Sequence, residues 1–144
     1  VKVEDRAYEG PLPAPDAVAA PWWKAAGEGR LLFQRCPSCR HAQFYPRAVC
    51  TRCGTTPEWE EASGWGTVHT FTIVRQMGAN PFRARLPYAV AMIELDEGVR
   101  MMSNVTDCAV DEVRVGMAVE AYALPAELED GARIGVPYWR PRGG

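Results

Sequence analysis

No stretch of this 144-residue chain approaches the roughly 20 consecutive apolar residues of a membrane-spanning helix, and no secretory leader is legible. The expectation is a cytoplasmic protein with no membrane partner. Histidine is scarce: His41 and His69 are the only two, and neither sits in a pattern of carboxylates or nucleophiles. Independent catalysis is therefore not expected, and no residue is given a catalytic role. An excess of positive charge is missing as well. The net charge is −2 and the isoelectric point about 5.7, which disfavours a nucleic-acid-binding module, since such domains are usually markedly basic. Methionine is absent from the first position, which is Val1. This fits a processed start or a segment of a longer polypeptide.

What is present is four cysteines in two knuckles, Cys36-Pro37-Ser38-Cys39 and Cys50-Thr51-Arg52-Cys53. Each Cys-x-x-Cys knuckle can place two thiolates on one metal ion, and two knuckles close a tetrahedron with no open position. Softness and geometry favour structural zinc on Cys36, Cys39, Cys50 and Cys53. Iron in the same tetrahedron and a pair of disulfides are the alternatives. A ribbon this short buries little apolar surface, so the metal is expected to supply its folding free energy. Thiolate knuckles also suit a reducing compartment. Cys108 stands apart and reads as a small buried hydrophobe.

Charge is segregated. Between Arg30 and Ile93 there are eight arginines and three glutamates, a local charge of +5, which leaves −7 for the remainder. Arginine suits bidentate contact with phosphate or carboxylate, so this segment points to an anionic ligand or to an acidic partner surface.

Residues 1–21 contain four prolines and read as an extended proline-rich arm crossing a surface or another chain. Pro21 suits the first turn of a helix from Trp22 to Gly27. Its two tryptophans cannot both face a small core; they pack on the ribbon or anchor a partner. Leu31–Arg35, Ala42–Pro46 and Trp59–Ala62 read as the strands of a ribbon, giving a helix-and-ribbon unit over 22–62. The Ser63-Gly64-Trp65-Gly66 turn opens a second unit over 63–144. Period-two patterns at 66–74, 88–95, 99–105 and 118–124, with a turn at Asp96-Glu97-Gly98 and a helical turn at 111–115, predict a small closed barrel of the OB type followed by a C-terminal tail. The fold class is thus mainly β. The connection from Arg75 to Pro87 is long enough to be functional, and Arg75, Arg83 and Arg85 on it are candidates for gripping an anion.

The ordered set of motifs resembles the acyl-CoA-associated zinc-ribbon/OB-fold proteins, long catalogued as a domain of unknown function. The resemblance covers roughly residues 20–142. It rests on Gly29–Arg35 before the knuckles, Trp59, Ser63–Val68, Pro87–Ala91, Val115–Val119 and the ending Val136–Pro141. It implies an N-terminal helix, a rubredoxin-like zinc ribbon and a C-terminal OB barrel. It further implies an accessory role beside a thiolase-superfamily enzyme in a hetero-oligomer of two plus two chains. Acyl-CoA would lie at or near the interface; Arg75, Arg83 and Arg85, candidates by loop placement alone, would meet CoA phosphates or instead an acidic docking face of the enzyme. In one branch of the family the enzyme is a thiolase-like aldolase that acts in steroid side-chain degradation, and its partner domain can be fused behind a hydratase domain. Two departures stand out: Arg40 replaces a glycine common in relatives, and the arm is longer. A different use of the same architecture is a single-stranded nucleic-acid-binding module, with Phe71, Phe82 and Tyr88 as stacking surfaces.

Overall fold

The computed structural model describes residues 1–76 and 81–143. Residues 77–80 of the long connection, and Gly144, lie outside the described residues. The elements run β1 (Lys2–Val3), α1 (Ala20–Gly27), β2 (Leu32–Arg35), β3 (Ala42–Gln43), β4 (Glu58–Glu61), β5 (Trp65–Val74), β6 (Tyr88–Leu95), β7 (Arg100–Val105), β8 (Ala118–Glu127) and β9 (Arg133–Pro141). Short 3-10 turns occupy Phe82–Arg85 and Val110–Glu112. Among the described residues no helix is long and apolar enough to cross a membrane.

The ribbon is a three-stranded antiparallel sheet in the order β3-β2-β4. The barrel closes in the order β5-β6-β7-β9-β8, with β8 returning to β5. Only the β7–β9 seam among these is parallel, with Val105 opposite Trp139. This five-strand circuit is the OB-fold expected from the alternating patterns. In β6 the alternation is complete: Ala89, Ala91, Ile93 and Leu95 are buried and the residues between them are not. Trp139 on β9 is fully buried at the centre of the core.

The expected C-terminal tail is instead β9, which pairs with β8 along nearly its whole length. Pro125 and Pro137 hid this pair, because proline gives no N–H to a ladder and argues against an internal strand. Here Pro125 lies opposite Gly135 and Pro137 opposite Ala123. β1 was also not foreseen. It pairs in parallel with β8, Lys2 beside Tyr122 and Val3 beside Ala123, on the edge of β8 that β5 has left beyond Glu120.

Helix α1 begins at Ala20, two residues before the expected start, with Pro21 in its first turn. The Asp16 side chain accepts the Ala19 N–H at 2.8 Å. Trp22 is buried, packs edge-on against Phe44 and donates its Nε1–H to the Leu32 carbonyl at 2.8 Å. Trp23 remains half-buried. The helix reaches β9 through a backbone-on-backbone contact: a Cβ built at Gly135 would stand 2.5 Å from the Ala26 carbonyl group. Glycine at 135 is a requirement of that approach.

Candidate functional site

Two places carry chemistry: the knuckle cluster and a groove over the barrel. The Sγ atoms of Cys36, Cys39, Cys50 and Cys53 all lie within 4.8 Å of one another. The Cys36–Cys53 and Cys39–Cys50 pairs stand at 3.4 and 3.7 Å. A zinc tetrahedron with Zn–S bonds of about 2.3 Å places its sulfurs about 3.8 Å apart, so the donor set fits. Backbone N–H groups of Cys39 and Arg52 point at the Cys36 and Cys50 sulfurs, each at 3.4 Å. The Cys53 thiol is brought down to about 6, first by the Thr55 hydroxyl and then by the Thr55 backbone. Cys39 is lowered by the His41 backbone, but burial and its three sulfur neighbours outweigh this and push it up to about 11. Four thiolates thus need a cation to coexist, and a bound zinc would supply that charge.

The sequence reading missed the two residues that hold this geometry. Gln34 and Gln43 are the buried polar side chains of the ribbon. Gln43 donates to Gln34 Oε1 at 2.8 Å and accepts the Thr51 N–H at 3.0 Å, while Gln34 accepts the Arg47 N–H at 2.9 Å. They pin the loop carrying the second knuckle to β2 and β3. Arg40 and Gly54, each following the last cysteine of a knuckle, both have left-handed φ, 64° and 81°. This explains why glycine suits position 40, and Arg40 accepts the backbone strain. His41 lies beside the Thr51 hydroxyl at 3.2 Å, and His69 is exposed at a register shift in β5.

The three candidate arginines do not converge. Arg75 reaches Asp111 at 4.0 Å, and both side chains are largely exposed. Arg83 is exposed on its 3-10 turn. Of the three, Arg85 alone lines a cavity of about 540 Å³, which it shares with Arg6 and Ala7 of the arm and with Tyr122 and Tyr138. It donates to the Tyr138 hydroxyl at 3.2 Å and lies over the rings of Tyr8 and Phe82 at 5.7 and 5.6 Å. Burial raises the pKa of Tyr122 and of Tyr138 above the ordinary phenol value. Cys108 is half-buried in an adjoining cavity, and burial raises its thiol too. Phe82 and Tyr88 pack on each other at 6.5 Å, and Phe71 is partly buried against the core. A second and larger cavity, about 840 Å³, lies between α1 and the β8–β9 hairpin, with Trp23 on its wall.

The arm is fastened by an ion network. Arg140 meets Glu4 at 2.6 Å and Asp107 and Glu120 at 3.6 Å each. The hydrogen bond from Arg140, helped by Lys2, holds Glu4 below the usual carboxylate range. A carboxylate with a depressed folded-state pKa stabilises above its unfolded pKa and loses that contribution as pH falls through the folded value. The protection of the arm's backbone amides, taken relative to their intrinsic exchange rates, should therefore fall once pH drops below the ordinary carboxylate range. Glu4→Gln should abolish that pH dependence, and amide hydrogen exchange measured at Glu4 and Tyr8 checks both.

Comparison with known proteins agrees with this geometry. Residues 23–60 match the rubredoxin-like zinc ribbon domain of ChsH2, and residues 59–124 match the C-terminal OB-fold domain of ChsH2. The chain of a solved Ltp2-ChsH2(DUF35) aldolase superposes with a TM-score of 0.78 at 33% identity, over 90% of this chain and 98% of that one. The chain belongs to the ChsH2/DUF35 family. Its two knuckles are the four-cysteine cluster of the rubredoxin-like ribbon, a structural zinc site.

A probable enoyl-CoA hydratase alpha subunit of Thermomonospora curvata is 34% identical over 91% of this chain, but the match spans only 40% of that protein. A DUF35 domain-containing scaffold protein of Methanocaldococcus jannaschii is 38% identical over 63% of this chain and 65% of its own length. A DUF35 scaffold protein of Methanothermobacter thermautotrophicus is 33% identical over 70% of this chain and 78% of its own. A DUF35-family structure from Sulfolobus solfataricus shares the fold at TM-score 0.57 and 12% identity.

Proposed function

We propose that this ChsH2/DUF35 chain is a non-catalytic scaffold for a thiolase-superfamily enzyme that works on acyl-CoA thioesters. In the finer form of this reading, the reaction is retro-aldol cleavage of a steroid side-chain CoA ester. The observation that carries it is the 33% identity with the Ltp2-ChsH2(DUF35) aldolase chain, sustained over 98% of that chain. The hydratase relative supports an acyl-CoA setting and a tie, fused or partnered, to a hydratase domain. Three units succeed one another along the chain in this proposal: an arm over 1–21, a helix and ribbon over 22–62, and the barrel over 63–144. The ribbon and α1 dock on the enzyme, two scaffold chains serve a symmetric enzyme dimer, and the barrel frames the route of the thioester. Of the three loop arginines, we assign Arg85 to CoA phosphates; its position in a cavity supports this, because a guanidinium in a concave site can make paired hydrogen bonds to phosphate oxygens. Arg75 and Arg83 contribute charge from outside that cavity.

Co-expression with a thiolase-like aldolase, followed by affinity capture and an acyl-CoA cleavage assay, tests this reading. The expected result is a stable complex whose aldolase activity or solubility depends on the scaffold. An enzyme fully active and soluble alone, with no complex formed, would remove it.

A further inference from the structure

We propose that the arm and the Arg85 turn are the two walls of one binding groove for an organic diphosphate, so that ligand binding and arm docking are coupled. This rests on the reading of Arg85 as a phosphate contact and extends it to Arg6, which the connection loop does not contain. Two guanidinium groups line the groove, Arg6 from the arm and Arg85 from the 3-10 turn. Each carries five N–H donors, and few are engaged. Arg6 reaches the Tyr122 hydroxyl at 3.5 Å and Asp107 at 3.9 Å, both long contacts. Arg85 forms no ion pair among the described residues; its one side-chain hydrogen bond goes to Tyr138.

Two acids share the cavity. Asp107 is already met by Arg140 at 3.6 Å, and Glu9 is exposed at the rim. The groove continues into the adjoining cavity, of about 290 Å³, through shared residues Arg85, Thr106, Asp107 and Tyr138; its lining includes Phe82, Pro87 and Tyr88. A charged head with a flat or apolar extension matches this pair of compartments: two cations for the phosphates, rings for the extension. Because Tyr8 lies under Arg85 and its N–H is bonded to the Pro125 carbonyl at 2.9 Å, a ligand held by both arginines must stabilise the docked arm. By linkage, loss of arm contacts must weaken the ligand equally.

Calorimetric titration of the zinc-loaded full chain at low salt with free coenzyme A, ADP and inorganic pyrophosphate tests this. Coenzyme A and ADP are expected to bind, and pyrophosphate to bind more weakly. Arg6→Ala and Arg85→Ala should each cost about tenfold in affinity, the effect of one charge-assisted contact, with zinc content and circular dichroism unchanged. Bound ADP should slow amide exchange at Glu4 and Tyr8. An affinity that falls with Arg85→Ala but not with Arg6→Ala, or arm amides indifferent to ligand, overturns the two-wall groove. Binding of coenzyme A without ADP or pyrophosphate overturns the diphosphate assignment. No binding of any probe overturns the groove while leaving the scaffold reading to its own test, complex formation.

Discussion

Cys50→Ser is expected to empty the zinc site and unfold the ribbon while the barrel strands persist. Zinc in such sites contributes about 10 kcal/mol or more to folding at neutral pH, far beyond what a three-stranded ribbon can gain from burial. Cys50 is the buried member of the second knuckle. Serine in its place offers a poor ligand and leaves the three remaining sulfurs without an ion. The barrel does not depend on that ion, because its core lies around Ile93, Val119 and Trp139. Zinc content should fall from one equivalent to near none, strand signal should survive in part, and capture of the enzyme partner should be lost. A variant that keeps zinc and still forms the complex would sink both the metal assignment and the docking role given to the ribbon.

Gly135→Val should be the most damaging change in the barrel unit. The added side chain would enter the backbone of α1 at Ala26 and Gly27, where even a Cβ has no room. Backbone on both sides leaves no flexible side chain to yield, so α1 must slide off β9. We expect a loss of about 3 kcal/mol, the upper range for overpacking a close contact. Because Trp22 rides on that helix and packs against Phe44, the lesion should also loosen the ribbon. Urea denaturation with tryptophan fluorescence would show it. A stability within about 0.5 kcal/mol of the parent, the usual surface range, would mean that the helix and strand are not held at this distance.

Much of this molecule was legible because its signals are local. The knuckles announce themselves by spacing, and β6 by an alternation that its burial reproduces residue for residue. What escaped depends on distant partners. β9 was hidden by prolines whose ladder positions only the fold reveals. β1 is two residues long and exists because β8 offers an edge. Gln34 and Gln43 look like surface residues until the loop they pin has folded over them. The groove was half visible: its loop arginine could be named, but Arg6 comes from the arm and Tyr122 and Tyr138 from the β8–β9 hairpin, far along the chain.

The bond between Arg140 and Glu4 spans 136 positions, and it orders events in time. A ribosome releases Glu4 long before Arg140, and domains form as their parts emerge. The arm therefore waits undocked until β8 offers its edge to β1, and its ion network is completed only when Arg140 on β9 arrives. The salt bridge, unlike the strand pairing, reports a completed barrel, and a product that stops short of β9 would leave Glu4 without Arg140 and the groove without Tyr138.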